Sequence, residues 1–314
     1  MSARYIGEGS YGCVIKPGIK CKTKISNNTI SKFIFDKEEW LNEIKNYNII
    51  YKFLKKKHLL ILIDYCEKTE HNKLLINNCK LLKTTKNNTS YNIIYEYGGI
   101  DLYGILESSQ TKFIDIFLLF GNIFETVKLL CKNNYIHLDI RMPNILYNKK
   151  NKTLKLIDYG LMKYKNKKFF NINILKKINM HNYPPEFNDN NLAKMYDILI
   201  QRGIMMNNYV FYNNKIKKKQ IQTIIKYIFS NYKNYDKKKS NKIDINKIDV
   251  YMIGIVLLEL LIEMNIDNNL NIKDNEYYLI FNFITKLTDP NVLKRYNIIQ
   301  AHKEYKKLIV LLKK

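Results

Sequence analysis

Arginine and alanine are nearly missing from this 314-residue chain. Of its 53 basic residues four are arginine (Arg4, Arg141, Arg202, Arg295), leaving 49 lysines, and alanine occurs only at Ala3, Ala193 and Ala301. Glycine (11) and proline (5) are scarce as well, while Asn, Ile, Lys and Tyr abound, the bias that A/T-rich codons produce whatever the function. The formal charge of +25 is therefore largely compositional and by itself excludes few partners. Residues kept against the drift, glycine and proline above all, mark places where the backbone requires them.

Other absences exclude more. The first residues, Met-Ser-Ala-Arg-Tyr-Ile, contain no apolar run of signal-peptide length and no Gly at position 2, so neither secretion nor simple lipid anchoring is expected. The most apolar window, Val250 to Met264, is shorter than the roughly 20 residues a membrane span needs and carries Glu259 and Glu263; it reads as a buried helix. Five cysteines (Cys13, Cys21, Cys66, Cys79, Cys131) are odd in number and form no CxxC pair. That suggests neither a disulfide framework nor a zinc site, makes Cys13 and Cys21 small apolar fillers, and points to a reducing, cytoplasmic setting.

What is present divides the chain in two. The first hundred residues read as short strands at Arg4–Ile6, Gly12–Ile15, Thr29–Phe35, Leu59–Tyr65, Lys73–Leu82 and Tyr91–Tyr97. One helix interrupts them over Glu38 to Lys55, where Trp40, Ile44, Tyr47, Ile50 and Leu54 recur at the spacing of one helical face. After Gly98-Gly99 long helical stretches follow, the first over Asp115–Asn133. A segment over 188–246, rich in Asn, Lys and Tyr, reads as an insertion with a helix at Ile216–Tyr232 and a charged loop at Lys233–Lys242. The expected fold class is α+β, with a small antiparallel-sheet lobe over about 1–97, a connection near 96–101 and a larger helical lobe over about 102–314, all one domain.

Three constellations carry chemistry. Ile6-Gly7-Glu8-Gly9-Ser10-Tyr11-Gly12-Cys13-Val14 is a GxGxxGxV between two strand-like runs, suited to bringing backbone N–H groups close to a polyphosphate, although a plain β-turn reads the same way. No helix opens inside it, which argues for a strand–loop–strand cover rather than a dinucleotide fold. His137-Leu138-Asp139-Ile140-Arg141-Met142-Pro143-Asn144 is an HxDxxxxN. Fourteen residues beyond Asn144 stands Asp158, preceded by apolar residues and followed by Tyr159-Gly160. One carboxylate to take a hydroxyl proton, and an amide oxygen with a second carboxylate to hold a hard cation, are what phosphoryl transfer requires.

These motifs resemble those of eukaryotic-type protein kinases. Further stretches extend the resemblance along the chain. Thr29-Ile30-Ser31-Lys32-Phe33-Ile34 is similar to the family's third-strand lysine motif, and Tyr183-Pro184-Pro185-Glu186 to the signature closing its activation segment. Asp249 opens a stretch similar to the helix that braces the catalytic loop, and Arg295 to the late arginine that pairs with the signature glutamate. The ion-pair partner of Lys32 is expected to be Glu43, which shares a face with Trp40, Tyr47 and Ile50; Glu39 is the competitor, flanked by Asn42, Glu43 and Asn46. Gly-Ser-Tyr-Gly-Cys-Val with Cys21 following, and Glu-Tyr-Gly-Gly-Ile-Asp-Leu, also resemble kinases of large cytoplasmic DNA viruses, mimivirus- and poxvirus-like, which implies host cytoplasm or virion.

The resemblance implies transfer of the γ-phosphoryl of ATP to protein Ser/Thr hydroxyls. It implies a nucleotide held by residues 6–14 and Lys32, catalysis by Asp139, Arg141, Lys32 and Glu43, and Mg²⁺ (with Mn²⁺ as alternative) on Asn144 and Asp158. Some positions depart from the family pattern. Leu138 replaces the arginine that binds an activation-loop phosphate, Arg141 stands where lysine is usual, and the segment before Tyr183 lacks a threonine. Rival readings are a pseudokinase scaffold, a tyrosine or dual-specificity kinase, a small-molecule phosphotransferase and a basic nucleic-acid-binding module. The lysine clusters at 55–57, 165–168, 215–219 and 237–239 offer surfaces for nucleic acid, anionic membrane or acidic substrate, but under this codon bias they read first as solvated surface. The run Lys163–Lys168 is the one placed to attract an acidic protein substrate.

Overall fold

Asp36 opens the first helix by accepting a hydrogen bond from the Glu39 amide at 2.9 Å, the N-cap that an aspartate in extended backbone provides. The helix, α1 (Lys37–Tyr51), follows three strands, β1 (Arg4–Glu8), β2 (Gly12–Lys16) and β3 (Thr29–Ile34), and precedes β4 (Leu62–Lys68) and β5 (Ser90–Glu96). These strands form one antiparallel sheet in the order β1-β2-β3-β5-β4. The computed structural model describes residues 4–8, 12–24, 26–68, 78–81, 90–107, 111–165, 183–185, 223, 226, 227, 230, 244–266 and 272–313. Two compact units emerge, a sheet unit of Met1–Gly99 with Ile157–Gly160 and a helical unit of Ile100–Leu156 with Leu161–Lys314.

Strand alternation gives the sheet two faces with separate small cores. On one, Ile34 and Ile93 bury against Ile44 of α1, with Trp40, Leu62 and Tyr95 around them. On the other, Cys13, Ile15 and Phe33 bury against Cys79. Gly12 allows the hairpin to approach β3, since a Cβ there would sit 2.1 Å from the Phe33 carbonyl oxygen.

The cysteines correct the expectation drawn from their spacing. Cys13 pairs with Cys79 and Cys21 with Cys66 in disulfides whose Cα atoms lie 6.1 and 5.8 Å apart; Cys131 alone is free. Each partner is distant in sequence, by 66 and 45 residues, so local CxxC patterns were the wrong signal. The argument for a reducing compartment falls with them. Within the strand expected over Lys73–Leu82, residues 78, 80 and 81 are helical and residues 73–77 and 82 lie outside the described residues; a short apolar run carries no period that separates helix from strand.

The helical unit begins with β6 (Ile100–Asp101) and α2 (Leu102–Glu107). The single helix expected over 115–133 is two, α3 (Phe113–Phe117) and α4 (Gly121–Lys132). At the break the Tyr305 hydroxyl donates to the Phe117 carbonyl at 2.8 Å and accepts from the Gly121 amide, while the Phe120 amide closes a tight turn on the same carbonyl. Short strands β7 (Tyr135–Ile136), β8 (Ile145–Asn148), β9 (Thr153–Leu156) and β10 (Lys163–Tyr164) follow, pairing β6-β8-β9 and β7-β10. Then come α5 (Ile248–Ile266), α6 (Asp274–Leu287) and α7 (Ile298–Leu312). The expected apolar window is the buried body of α5, and no described helix is long and apolar enough to cross a membrane. Gly254 lets α5 lie against α6, since a Cβ there would meet Leu287 and Thr288 side chains at 2.7 and 2.6 Å. Residues 223, 226, 227 and 230 are helical, within the helix expected at Ile216–Tyr232. The remainder of the 188–243 segment lies outside the described residues, including the lysine clusters at 215–219 and 237–239.

Candidate active site

In the sheet unit the chemistry gathers on one face. Val14 and Lys32 are register partners and Lys32 is also opposite Ile93, so all three share the face covered by α1. Lys32 Nζ lies 2.6 Å from Glu43 Oε2, and Tyr95 donates its hydroxyl to the other carboxylate oxygen at 2.9 Å. Burial alone would lower the Lys32 ammonium, yet the carboxylates of Glu43, Asp158 and Glu39 outweigh it and hold the lysine above its ordinary value. Burial, then the Glu43 charge, pushes the Tyr95 hydroxyl well up, so it stays a donor. Lys32 remains a cation with one firm partner and a second carboxylate, Asp158, within electrostatic reach.

Asp158 sits in left-handed backbone (φ 62°) and accepts weakly from the Gly160 amide at 3.4 Å. Two asparagines one turn apart on α1 hold this segment: Asn46 donates to the Tyr159 carbonyl at 2.8 Å and Asn42 to that of Gly160 at 3.3 Å. Sequence reasoning missed both, having used them as signs of a solvated face around Glu39. Asn46 is buried at 7% exposure. The available signal was the i, i+4 spacing of two amides flanking Glu43.

The glycine hairpin is divided between the two sheet faces. Gly7 is register partner of Val14 and Glu8 of Cys13, which places Glu8 and Cys13 on the face away from Lys32. Glu8 accepts from the Leu81 amide at 2.8 Å, the Lys80 amide at 3.3 Å and the Tyr5 hydroxyl at 3.1 Å. Of the residues expected to contact nucleotide, Glu8 and Cys13 therefore turn their side chains away from Lys32. Ile6 and Val14 are described with them, whereas Gly9, Ser10 and Tyr11 lie outside the described residues.

In the helical unit a loop is fixed atom by atom. Asp249, at the start of α5, accepts from the amides of His137 and Leu138 at 2.9 and 3.0 Å. Burial pushes the Asp249 carboxyl up, against the pull of those two donors. Leu138 takes left-handed backbone (φ 67°), unusual for a branched apolar residue, and its carbonyl accepts from the Tyr183 hydroxyl. The strained residue is thus gripped at both its N–H and its C=O. The next residue, Asp139, has its amide on His137 Nδ1 at 3.2 Å and its carboxylate between Asn144 Nδ2 at 2.7 Å and Arg141 Nε at 3.1 Å. Asn144 Nδ2 also reaches the Asp139 carbonyl at 2.8 Å. With that nitrogen committed to Asp139, the Asn144 oxygen is the end of the amide suited to a hard cation.

Two further positions bear on earlier expectations. Arg295 is buried, donates from Nε to the Asp289 carbonyl at 2.9 Å and stacks over the Tyr251 ring; Glu186, its expected partner, lies outside the described residues. Within the run Lys163–Lys168, Lys163 is exposed, but Lys165 is engaged with Cys131 Sγ and Asn246 Oδ1 at 3.1 and 3.0 Å.

An antiparallel sheet with α1 packed on it, followed in sequence by a mainly helical unit and carrying these motifs, is a protein-kinase-like fold. The chain belongs to the protein tyrosine and serine/threonine kinase family, whose model matches residues 1–240. It is 34% identical over 170 residues to the dual specificity protein kinase zakA of Dictyostelium discoideum, covering 53% of this chain and 19% of that protein. It is 26% identical over 166 residues to cyclin-dependent kinase 12 of Caenorhabditis elegans, covering 50% and 20%. Over 168 residues it is 27% identical to calcium-dependent protein kinase 4 of Plasmodium falciparum, covering 50% and 28%. The chain thus spans less than a third of the length of each of these relatives.

Proposed function

We propose that the chain is an active protein kinase, one domain over 1–314, transferring the γ-phosphoryl of ATP to Ser/Thr hydroxyls of protein substrates. The observation that carries this reading is the state of Asp139: a nearly buried carboxylate, oriented by Asn144 and Arg141, on a loop whose strained neighbour is held by Asp249 and Tyr183. Such expense of backbone strain and buried charge is hard to account for in a scaffold. Asp139 orients the acceptor hydroxyl and takes its proton, and Arg141 balances charge on the phosphoryl in transit. The glycine hairpin and Lys32, steadied by Glu43, bind the nucleotide phosphates. The oxygen donors of Asn144 and Asp158 suit Mg²⁺ or Mn²⁺, which when bound neutralises phosphate charge.

Asp139→Asn is expected to abolish radiolabel transfer from ATP to protein while leaving nucleotide binding nearly intact. Transfer at the wild-type rate would overturn the assignment. A thermal shift that requires both ATP and Mg²⁺ separates an enzyme from a metal-independent scaffold. Arg141 in place of lysine, with a dual-specificity relative, supports a second reading in which tyrosine is also an acceptor; peptides bearing Ser, Thr or Tyr decide between them. The narrower kinship with kinases of large cytoplasmic DNA viruses, and with it a cytoplasmic or virion location, rests on the motifs around Cys13, Cys21 and Gly98 alone.

A further inference from the structure

We propose that Cys13 and Cys79 form an oxidative modification site, a redox latch that sets the nucleotide affinity of the glycine hairpin. The inference rests on the reading of that hairpin as the cover of ATP. Cys13 begins β2 and Glu8 ends β1, directly opposite each other, and both turn to the sheet face away from Lys32. There they grip the same short segment: Cys13 through the disulfide to Cys79, Glu8 through the amides of Lys80 and Leu81. Both sides of the hairpin are thus fastened to residues 79–81 on the sheet face away from Lys32. The Glu8 carboxylate and the two sulfurs lie within 4.8 Å of one another, so covalent and polar grips form one fastening.

The second bond differs in what it holds. Cys21–Cys66 ties the β2–β3 connection to β4, and a carboxylate again accompanies it, Asp64 accepting from the amides of Lys22 and Thr23 at 3.0 Å each. It touches neither side of the hairpin. Closing the latch converts two thiols and one oxidised glutathione into the protein disulfide and two reduced glutathiones, through a mixed disulfide; the thiols lose two electrons and two protons, and glutathione gains them. A dithiol reductant reverses it. Closed, the hairpin is ordered before ATP arrives and loses less freedom on binding, whereas opened it must be ordered by the ligand.

The test equilibrates the full chain with oxidised glutathione or with dithiothreitol, below the unfolding transition of the reduced protein, and maps disulfides by non-reducing peptide mass spectrometry. The dissociation constant for MgATP is then measured in each state. We expect roughly tenfold tighter binding in the oxidised state, a coupling of ordinary size for two linked sites. Cys79→Ser should bind with the reduced affinity under both conditions, and Cys66→Ser should keep the tenfold dependence. Equal affinity in two states that differ in the mapped Cys13–Cys79 bond would overturn the latch, as would absence of that bond under oxidised glutathione or a dependence lost only in Cys66→Ser. Should ATP bind in neither state, the nucleotide reading fails, and amide exchange decides the fastening itself: slower exchange over residues 5–8 and 12–15 on oxidation supports it, and unchanged exchange overturns it.

Discussion

The sheet unit and the helical unit are each stabilised internally, by different means. Among its described residues the first has apolar clusters of four and three buried residues on opposite faces of its sheet, two disulfides and two carboxylates that each accept backbone amides from a distant segment. The second has a single continuous apolar core running from Leu102 to Leu308, with no disulfide among its described residues. A unit of about a hundred residues buries a smaller fraction of its surface, and cross-links compensate by restricting the unfolded chain. The larger unit needs no such help, and it concentrates its polar groups where Asp249 grips the His137–Asp139 loop.

This contrast breaks most sharply under reductant. Reducing both disulfides should destabilise the sheet unit by about 2–4 kcal/mol per bond, read as faster amide exchange over residues 12–34 and 62–68 with exchange in α5 and α6 unchanged. Comparable loss of protection in α5 would show that the units do not differ in this way. The converse is Leu257→Ala, a fully buried core position in α5. It should cost the helical unit about 3 kcal/mol in denaturant unfolding and leave the reductant sensitivity of the sheet unit as it was. Tyr305→Phe removes the hydroxyl's bonds with the Phe117 carbonyl and the Gly121 amide and should cost about 1–2 kcal/mol, with faster exchange confined to the α3–α4 turn. The smallest effect is acidic. Asp64 is held down to about 2 by its Thr23 hydroxyl bond and the amides of Lys22, Thr23 and Tyr65. Its clasp contributes stability that is fully present above pH 3.8 and lost as pH falls through about 2, whereas Asp64→Asn should remove that acid-limb dependence.

Much of this was legible beforehand because the composition made rare residues informative. Gly12 and Gly254 each stand where a Cβ would collide, and Lys32, Asp139, Asn144 and Asp158 sit in motifs whose spacing is local. The pairing partner of Lys32 followed from helical periodicity. What escaped was whatever depends on residues far apart in sequence. Neither disulfide announces itself by spacing, the turn between α3 and α4 is bonded by a tyrosine 188 residues from the carbonyl it binds, and Asn46 looks like any surface asparagine until its partner at Tyr159 is seen. Polar residues drift as readily as lysines in such a chain, so their type alone carried no signal.

The reach of Tyr305 has a consequence for how the chain is made. Synthesis delivers residues in order, and nearly all of the sheet unit has emerged by Gly99, so its strands and cross-links are free to form early. The α3–α4 turn, by contrast, gains its Tyr305 bond only once a residue 188 positions beyond the carbonyl has been made. Until Tyr305 has emerged, the turn between α3 and α4 lacks that bond. The unit that carries Asp139 therefore completes its contacts after the strands of the sheet unit are free to pair.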